Sequence, residues 1–244
     1  MVHTLPDYTS KWKNNTVFGV ADMAELAARL KSIDTFDRRG NVIWMDDFEG
    51  ATLLWTPNGG AFYNVALNAT APYTGSQSCR LTTGGVALQN WAQISKYLSY
   101  PVLSNIGFEI SSTWDDDVTF FYWEMYVWDG TTRYHGIIRY DDAASTLAYI
   151  DAANVFQVFA NNIDLSLPAL SFNTCKLVID FANTSYQRFI CDEVTYDLSA
   201  YPIRTGASVT SSRAQLIFNY HATGITTPDI YADNVIFTQN EEAQ

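Results

Sequence analysis

The chain has 244 residues and a formal net charge of −12, from 26 acidic and 14 basic side chains. Nucleic acid and anionic membrane surfaces both require a basic patch, so neither is an expected partner. A composition that is 48% hydrophobic and 15% aromatic supplies an ample core and excludes a disordered chain.

Charge is unevenly placed: the first 40 residues carry six basic and five acidic side chains, the remainder eight and 21. A mildly basic segment therefore precedes a strongly acidic body, and the expected division is an arm over residues 1–40 and one β domain over residues 41–240. Met1 to Ser10 is polar, without the apolar stretch of a signal peptide, and no run approaches the ~18 apolar residues of a membrane span. Synthesis and initial residence in a cytoplasm follow as the expectation. Cys79, Cys175 and Cys191 are too few and too odd for a disulfide framework, and are expected to be reduced core residues. If Phe181 pairs with Tyr186, Lys176 faces Cys191, and the sulfurs of Cys175 and Cys191 point to opposite sides of the sheet.

In chain order, residues 1–19 show no period, and Tyr8, Trp12 and Phe18 read as aromatics of an extended arm. Met23, Leu26, Ala27 and Leu30 then recur at helical spacing behind an Asp22/Glu25 capping box, which predicts one short amphipathic helix over Ala21 to Ile33. Three turns are marginal alone, so this stripe has to dock on its own β domain or on a neighbouring subunit. Trp12, Phe18, Met23, Leu26 and Leu30 are the candidate anchoring residues.

From Val42 onward, short strand patterns alternate with turn signals such as Thr56 to Gly60, Thr74-Gly75-Ser76 and Asn183 to Ser185. Strands are expected at Cys79 to Thr82, Ile106 to Ser112, Leu147 to Ile150, Val155 to Ala160, Lys176 to Phe181, Gln187 to Cys191, Gln215 to Tyr220 and Asn234 to Thr238. Turns every ~8–12 residues without intervening helices predict an antiparallel jelly-roll β-sandwich.

The clearest hairpin is Val118 to Tyr140, folded about Asp129-Gly130 as a two-residue turn. That turn pairs Val127 with Thr132, Met125 with Tyr134, Trp123 with Gly136 and Phe121 with Ile138 on a core face, where Gly136 makes room for the Trp123 indole. The other face carries Phe120, Tyr122, Glu124 and Tyr126 beside Arg133, His135, Ile137 and Arg139, with Glu124 opposite His135. Aromatic and charged together, such a face suits a sugar platform, a subunit interface or a surface covered by another segment. Trp44, Trp55, Trp91, Trp114 and Trp123 have core explanations as strand residues, and Trp128 flanks the turn.

Trp44 to Leu81, with WMDDFEG, Trp55 and YTGSQSCRL, resembles the opening of carbohydrate-binding jelly rolls of the galactose-binding type, and Tyr231 to Phe237 resembles their closing strand. Phe172 to Leu198 is similar to the paired strands of laminin-G or concanavalin-like jelly rolls. The first resemblance implies a structural calcium ion, with carboxylates from Glu49 and Asp233, carbonyls from the Tyr73 to Gln77 turn, and Asp47 as an extra ligand. Read from the residues alone, the same acids equally serve as solvated or turn-bonding groups. The N-terminal part, LPDYTSKWK, ELAARL and FDRRGNVIWMDDFEG, resembles tailed-bacteriophage proteins, some of them virion surface components.

Nothing in the chain matches a catalytic signature: there is no G-x-S-x-G, H-E-x-x-H or Cys/His metal spacing, and the strand-borne E-x-D-x-x-E of concanavalin-like glycosidases is absent. Glu124 is the one acid to test, and no second carboxylate follows it at strand spacing. The expectation is a non-enzymatic virion protein that decorates a particle, made in a host cytoplasm and self-associating or bound to other particle proteins through its arm. The alternative is a glycan-binding module using the Tyr122/Tyr126 face, and a glycosidase-like enzyme is the remote third.

Overall fold

The computed structural model describes residues 37, 39–87, 89–100, 102–114, 118–165 and 171–242. The chain divides into Met1–Asp34 and Thr35–Gln244, and all the described residues belong to the second unit. The expected helix and the anchoring residues Trp12, Phe18, Met23, Leu26 and Leu30 lie outside them.

Sixteen strands occur among the described residues: β1 Asn41–Asp46, β2 Thr56–Gly59, β3 Asn64–Asn68, β4 Ser78–Thr82, β5 Trp91–Leu98, β6 Asn105–Trp114, β7 Val118–Trp128, β8 Thr132–Asp141, β9 Thr146–Ile150, β10 Phe156–Asn161, β11 Asn173–Asp180, β12 Ser185–Cys191, β13 Val194–Asp197, β14 Arg204–Ala207, β15 Arg213–Ala222 and β16 Asp229–Gln239. They form two eight-stranded antiparallel sheets packed as a sandwich, as the turn spacing predicts. The first sheet runs β13-β12-β11-β6-β16-β4-β3, the second β10-β9-β8-β7-β15-β5-β2. One strand in each is long enough to take two short partners on one edge: β16 holds β4 and β1, and β8 holds β9 and β14.

Alternation along the strands builds the core. Phe121, Trp123, Met125 and Val127 of β7 point inward with Leu216, Phe218 and Tyr220 of β15, and meet Phe108, Leu177 and Phe189 of the first sheet. The Trp123 ring lies 5.2 Å from that of Phe189, so the two sheets interlock through aromatic side chains.

The β7–β8 hairpin has its expected faces but a register displaced by two residues: Val127 pairs with Tyr134, Met125 with Gly136, Trp123 with Ile138 and Tyr126 with His135. The cause is the turn. Asp129 Oδ1 accepts from the Thr131 and Thr132 amides at 2.8 and 2.7 Å, which makes Asp129 the last paired residue and leaves Gly130-Thr131 at the centre. Gly130 has φ +98°, the glycine-first pattern of a type II′ turn, not the type I′ turn expected for Asp-Gly. A shift of two preserves the parity of every side chain, which is why the faces are unaffected. Gly136 makes room for a different residue than expected: a Cβ there would lie 2.3 Å from Ile179 Cδ1, so its space is used by the opposite sheet and not by Trp123.

Other departures have local causes. Thr56–Gly59, expected as a turn, is an edge strand, where Pro57 costs no central ladder bond. Cys175 and Cys191 face one another directly, because the irregularity between Val178 and Ile179 resets the β11–β12 register. Both are free and buried, as is Cys79. Trp55, Trp114 and Trp123 are core, whereas Trp91 stands half-buried on the outer face of the second sheet.

The outer face of the first sheet carries a buried ionic cluster. Lys176 of β11 and Arg188 of β12 are both fully buried. Lys176 Nζ lies 2.8 Å from Glu241 Oε1 and 3.2 Å from Asp37 Oδ2, with Glu109 at 3.9 Å. Arg188 contacts Glu241 and donates to the Glu242 carbonyl at 2.6 Å, while Arg39 pairs with Asp37 at 2.9 Å. Asp37 and Arg39 are thus clamped to the sheet beside the residues that follow β16. The Asp37 carboxyl is held below its usual value: its burial is outweighed by the bond from Arg39 and the charge of Lys176.

Two measurements follow. Lys176→Met leaves the buried Glu241 and the half-buried Asp37 with too little positive charge, and should lower unfolding free energy by roughly 3–5 kcal/mol in urea titrations; a loss below about 1 kcal/mol would mean the cluster is energetically idle. The Asp129 carboxyl is lowered from 3.8 to about 2 by the Thr131 and Thr132 amides. Because the folded state binds the proton less tightly, this contribution is complete above pH 3.8 and is lost as pH falls toward 2. The stability gap between wild type and Asp129→Ala should therefore shrink over that window, and a gap constant with pH contradicts the assignment.

Candidate functional site

Residues on the outer face of the second sheet form rows that cross the strands. Asn58, Gln93, Asn219, Tyr122, Arg139 and Ala148 make one row; Tyr97, Gln215, Tyr126, His135 and Arg204 make another. Between them run Ser95, Ile217, Glu124 and Ile137, and at one end lie Trp91, His221, Phe120 and Asp141. All six residues expected on the hairpin's second face, Tyr122, Glu124, Tyr126, Arg133, His135 and Arg139, do share it.

Its centre is a tight aromatic and polar packing. Glu124 Oε1 lies 2.6 Å from His135 Nε2, a diagonal contact that survives the displaced register because the two residues are neighbours on one face. The His135 ring stacks on Tyr126 at 3.8 Å with 8° between planes, and Trp128 stacks on the same tyrosine at 5.3 Å. Burial raises the Tyr126 hydroxyl far above its usual value, and the charge of Glu124, to which it is hydrogen-bonded, raises it further. Tyr126 therefore stays protonated and donates. Tyr122 is raised by burial as well, with Arg139 opposing.

A second aromatic group sits at the other end. His221 lies 5.4 Å from the Tyr122 ring and 6.3 Å from Trp91, and burial holds its imidazole below the usual value. Tyr122 also approaches Phe156, 6.1 Å away. Trp91, Gln93, Asn219, His221, Phe156, Tyr97 and Arg213 were not singled out from sequence. The signal was present as period-two alternation: Trp91, Gln93, Ser95 and Tyr97 interleave with Ala92, Ile94 and Leu98, but that run is too polar to stand out as a strand.

Chemically, the face offers half-buried rings flanked by amide, carboxylate and guanidinium groups, the combination that stacks on a pyranose and fixes its hydroxyls. Asp141 shares the face with Glu124 but stands a row beyond Tyr122, opposite Phe120.

Asp47, Glu49 and Asp233 are arranged differently. Asp233 Oδ2 accepts from the Tyr73 and Thr74 amides at 2.8 and 3.2 Å, and Oδ1 from the Asn234 amide. Glu49 Oε1 accepts from the Ser76 and Gln77 amides, both at 2.8 Å, and Oε2 from the Ser76 hydroxyl. Asp47 Oδ1 accepts from the Glu49 amide. The Tyr73 to Gln77 turn thus presents N–H groups to the two acids, where the calcium expectation needs carbonyls. Gly75, at φ +72°, permits the approach, since a Cβ there would sit 2.4 Å from Glu49 Oε1. The Ser76 hydroxyl, with the two amides, holds Glu49 below its usual value, whereas burial pushes Asp233 up to about 6. Among the described residues no group of three or more acidic, histidine or cysteine side chains is placed to hold a metal ion. The residues present form a hydrogen-bonded clamp, and a cation would have to displace its donors.

No family model matches the chain, and no curated protein matches it. Solved structures share the fold. A cellulose induced protein, Cip1, aligns with a TM-score of 0.55 at 12% identity, over 82% of this chain and 99% of that one. The endo-β-1,4-glucuronan lyase of the fungus Trichoderma reesei aligns at 0.53 and 9%, over 82% and 96%. A carbohydrate esterase from the Shiga toxin-encoding bacteriophage phi24B aligns at 0.51 and 13%, over 83% and 100%. A sialidase also shares the fold, but this chain spans only 19% of its length.

The clamp and the calcium site are separable by melting. With N–H donors filling the carboxylates, the melting temperature should be indifferent to calcium and to chelator, and Glu49→Ala should cost on the order of 1–2 kcal/mol through lost hydrogen bonds. A calcium-dependent rise that Glu49→Gln abolishes would restore the cation.

Proposed function

We propose that the domain is a non-enzymatic glycan-binding jelly roll whose binding surface is the outer face of the second sheet, centred on Tyr122, Glu124 and Tyr126. The observation that carries this reading is the group of half-buried rings across β5, β15 and β7, with Trp91 and His221 in one row and Tyr122 in the next beside Gln93, Asn219 and Arg139. A face meant only as scaffold has no need of so many large rings with polar neighbours at matching height. The glucuronan lyase and the carbohydrate esterase support a carbohydrate ligand at the level of the shared fold. A binding role is preferred to a hydrolytic one because Glu124 is engaged by both His135 and Tyr126, and Asp141, the other acid of the face, stands a row beyond Tyr122.

A second reading places this domain on a virion, bound to other particle proteins or to copies of itself. The phage origin of the carbohydrate esterase favours it, and the arm that would anchor it lies in residues 1–40, nearly all outside the described ones.

Affinity electrophoresis of the full chain in gels containing soluble polysaccharides tests the first reading. Tyr122→Ala and Tyr126→Ala should each weaken retardation about tenfold, the loss of one stacked ring at ~1–1.5 kcal/mol, with melting temperatures within a few degrees of wild type. Absence of retardation on every polysaccharide would overturn the binding role, and turnover lost in Glu124→Gln would overturn its non-enzymatic character.

A further inference from the structure

We propose that the ligand of this face is a carboxylate-bearing polysaccharide, a polyuronate, held by Arg133, Arg139, Arg204 and Arg213; the inference rests on the glycan-binding reading and names its substrate class. Eight basic residues follow residue 40 in a chain of net charge −12, and four of them are these arginines. All four lie on the outer face of the second sheet.

With 21 acidic residues in the same body, an arginine left without a carboxylate is a departure that calls for a cause. The basic residues elsewhere are committed: Arg80 pairs with Asp229 at 2.7 Å, Lys176 and Arg188 belong to the buried cluster, and Lys96 donates to the Leu54 carbonyl. On the second sheet, Arg133, Arg204 and Arg213 have no carboxylate within 4.0 Å among the described residues, and Arg139 reaches Asp141 only at 3.9 Å.

Rings hold these guanidinium groups instead. Arg139 lies over Phe156 at 4.2 Å and Phe120 at 4.8 Å, Arg213 over Tyr97 at 4.4 Å and Trp128 at 5.2 Å, and Arg133 over Tyr126 at 5.9 Å. Arg204 is positioned by Asn154 Oδ1 at 2.7 Å. Stacking fixes the plane of a guanidinium and leaves N–H groups at its edge for a carboxylate, Arg139 also bonding Tyr122, so the ordering cost is met before the ligand arrives. The Nε atoms of Arg139 and Arg213 are buried without a hydrogen-bond partner.

Placement suits a polymer longer than one sugar. Arg213, Trp128 and Arg133 occupy one row across β15, β7 and β8, and Arg204 stands one row on, opposite His135. Arg139 is six residues beyond Arg133 on β8, about 20 Å along the strand, farther than one sugar ring reaches. A chain lying along β7 and β8 meets arginines at both ends and the Tyr126 and Tyr122 rings between them. Glu124 and Asp141 share that path with the arginines.

Affinity electrophoresis of the full chain with polygalacturonate, its fully methyl-esterified form and the neutral glucan laminarin tests this. Polygalacturonate should retard the protein, and esterification, Arg133→Gln and Arg139→Gln should each weaken retardation about tenfold or more, the loss of one charge-assisted contact. Equal retardation by the acid, its ester and laminarin, unmoved by the arginine changes, would overturn the carboxylate inference and leave glycan binding standing. Retardation by none of them, nor by any other polysaccharide, would overturn both. Should an Arg→Gln variant melt early, the comparison of acid with ester on wild-type protein remains decisive by itself.

Discussion

Successive residues of a β-strand face opposite ways, and β7 is where this constraint joins fold to function. Phe121, Trp123, Met125 and Val127 fill the space between the sheets, and the residues between them, Tyr122, Glu124 and Tyr126, are thereby committed to the outer face. The inward row is rigid because its rings interlock with Phe189 and Phe218. The outward row inherits that rigidity. A site built this way needs no loop to order it, and its spacing is the strand spacing.

The first sheet meets a different demand. Its outer face should be solvated, yet Lys176 and Arg188 are fully buried there beneath the residues that flank β1 and β16. Burying cations is unfavourable unless each finds an anion, so Glu241, Asp37 and Glu109 are required by the same geometry. Gly107 and Gly40 leave the room, since a Cβ at either would lie within 2.8 Å of Glu241 Oε1. A cluster of this kind specifies where both ends of the body attach, because an apolar side chain in place of Asp37 or Glu241 would leave a charge unanswered.

The sheet faces were legible because they depend on parity alone. Placing the turn one residue early displaced the hairpin register by two, and Glu124 still met His135 because same-face neighbours touch diagonally as well as directly. What escaped depends on polar strands. β5 reads as WAQISKYL, with Gln, Ser and Lys diluting its apolar row, so Trp91 looked like a core residue and its partner His221 had no visible role. The acids of the calcium expectation were brought to the right turn, but whether a turn offers N–H or C=O groups is a matter of backbone orientation that residue types do not encode. Charge pattern was read from the arm, while the body's own contrast, arginines gathered on one face of an acidic domain, becomes visible only once β8, β14 and β15 are placed side by side.

That contrast bears on why Glu124 sits at the centre of the face. A carboxylate there offsets part of the attraction of neighbouring arginines for an anionic sugar, so its place calls for another reason. Here its oxygens are engaged by His135 and the Tyr126 hydroxyl, and the histidine is in turn stacked on the same tyrosine. The bonds that engage the carboxylate also fix the two rings on which a sugar would lie. Glu124 is thus placed to position those rings, and the arginines stand to either side of it along the strands.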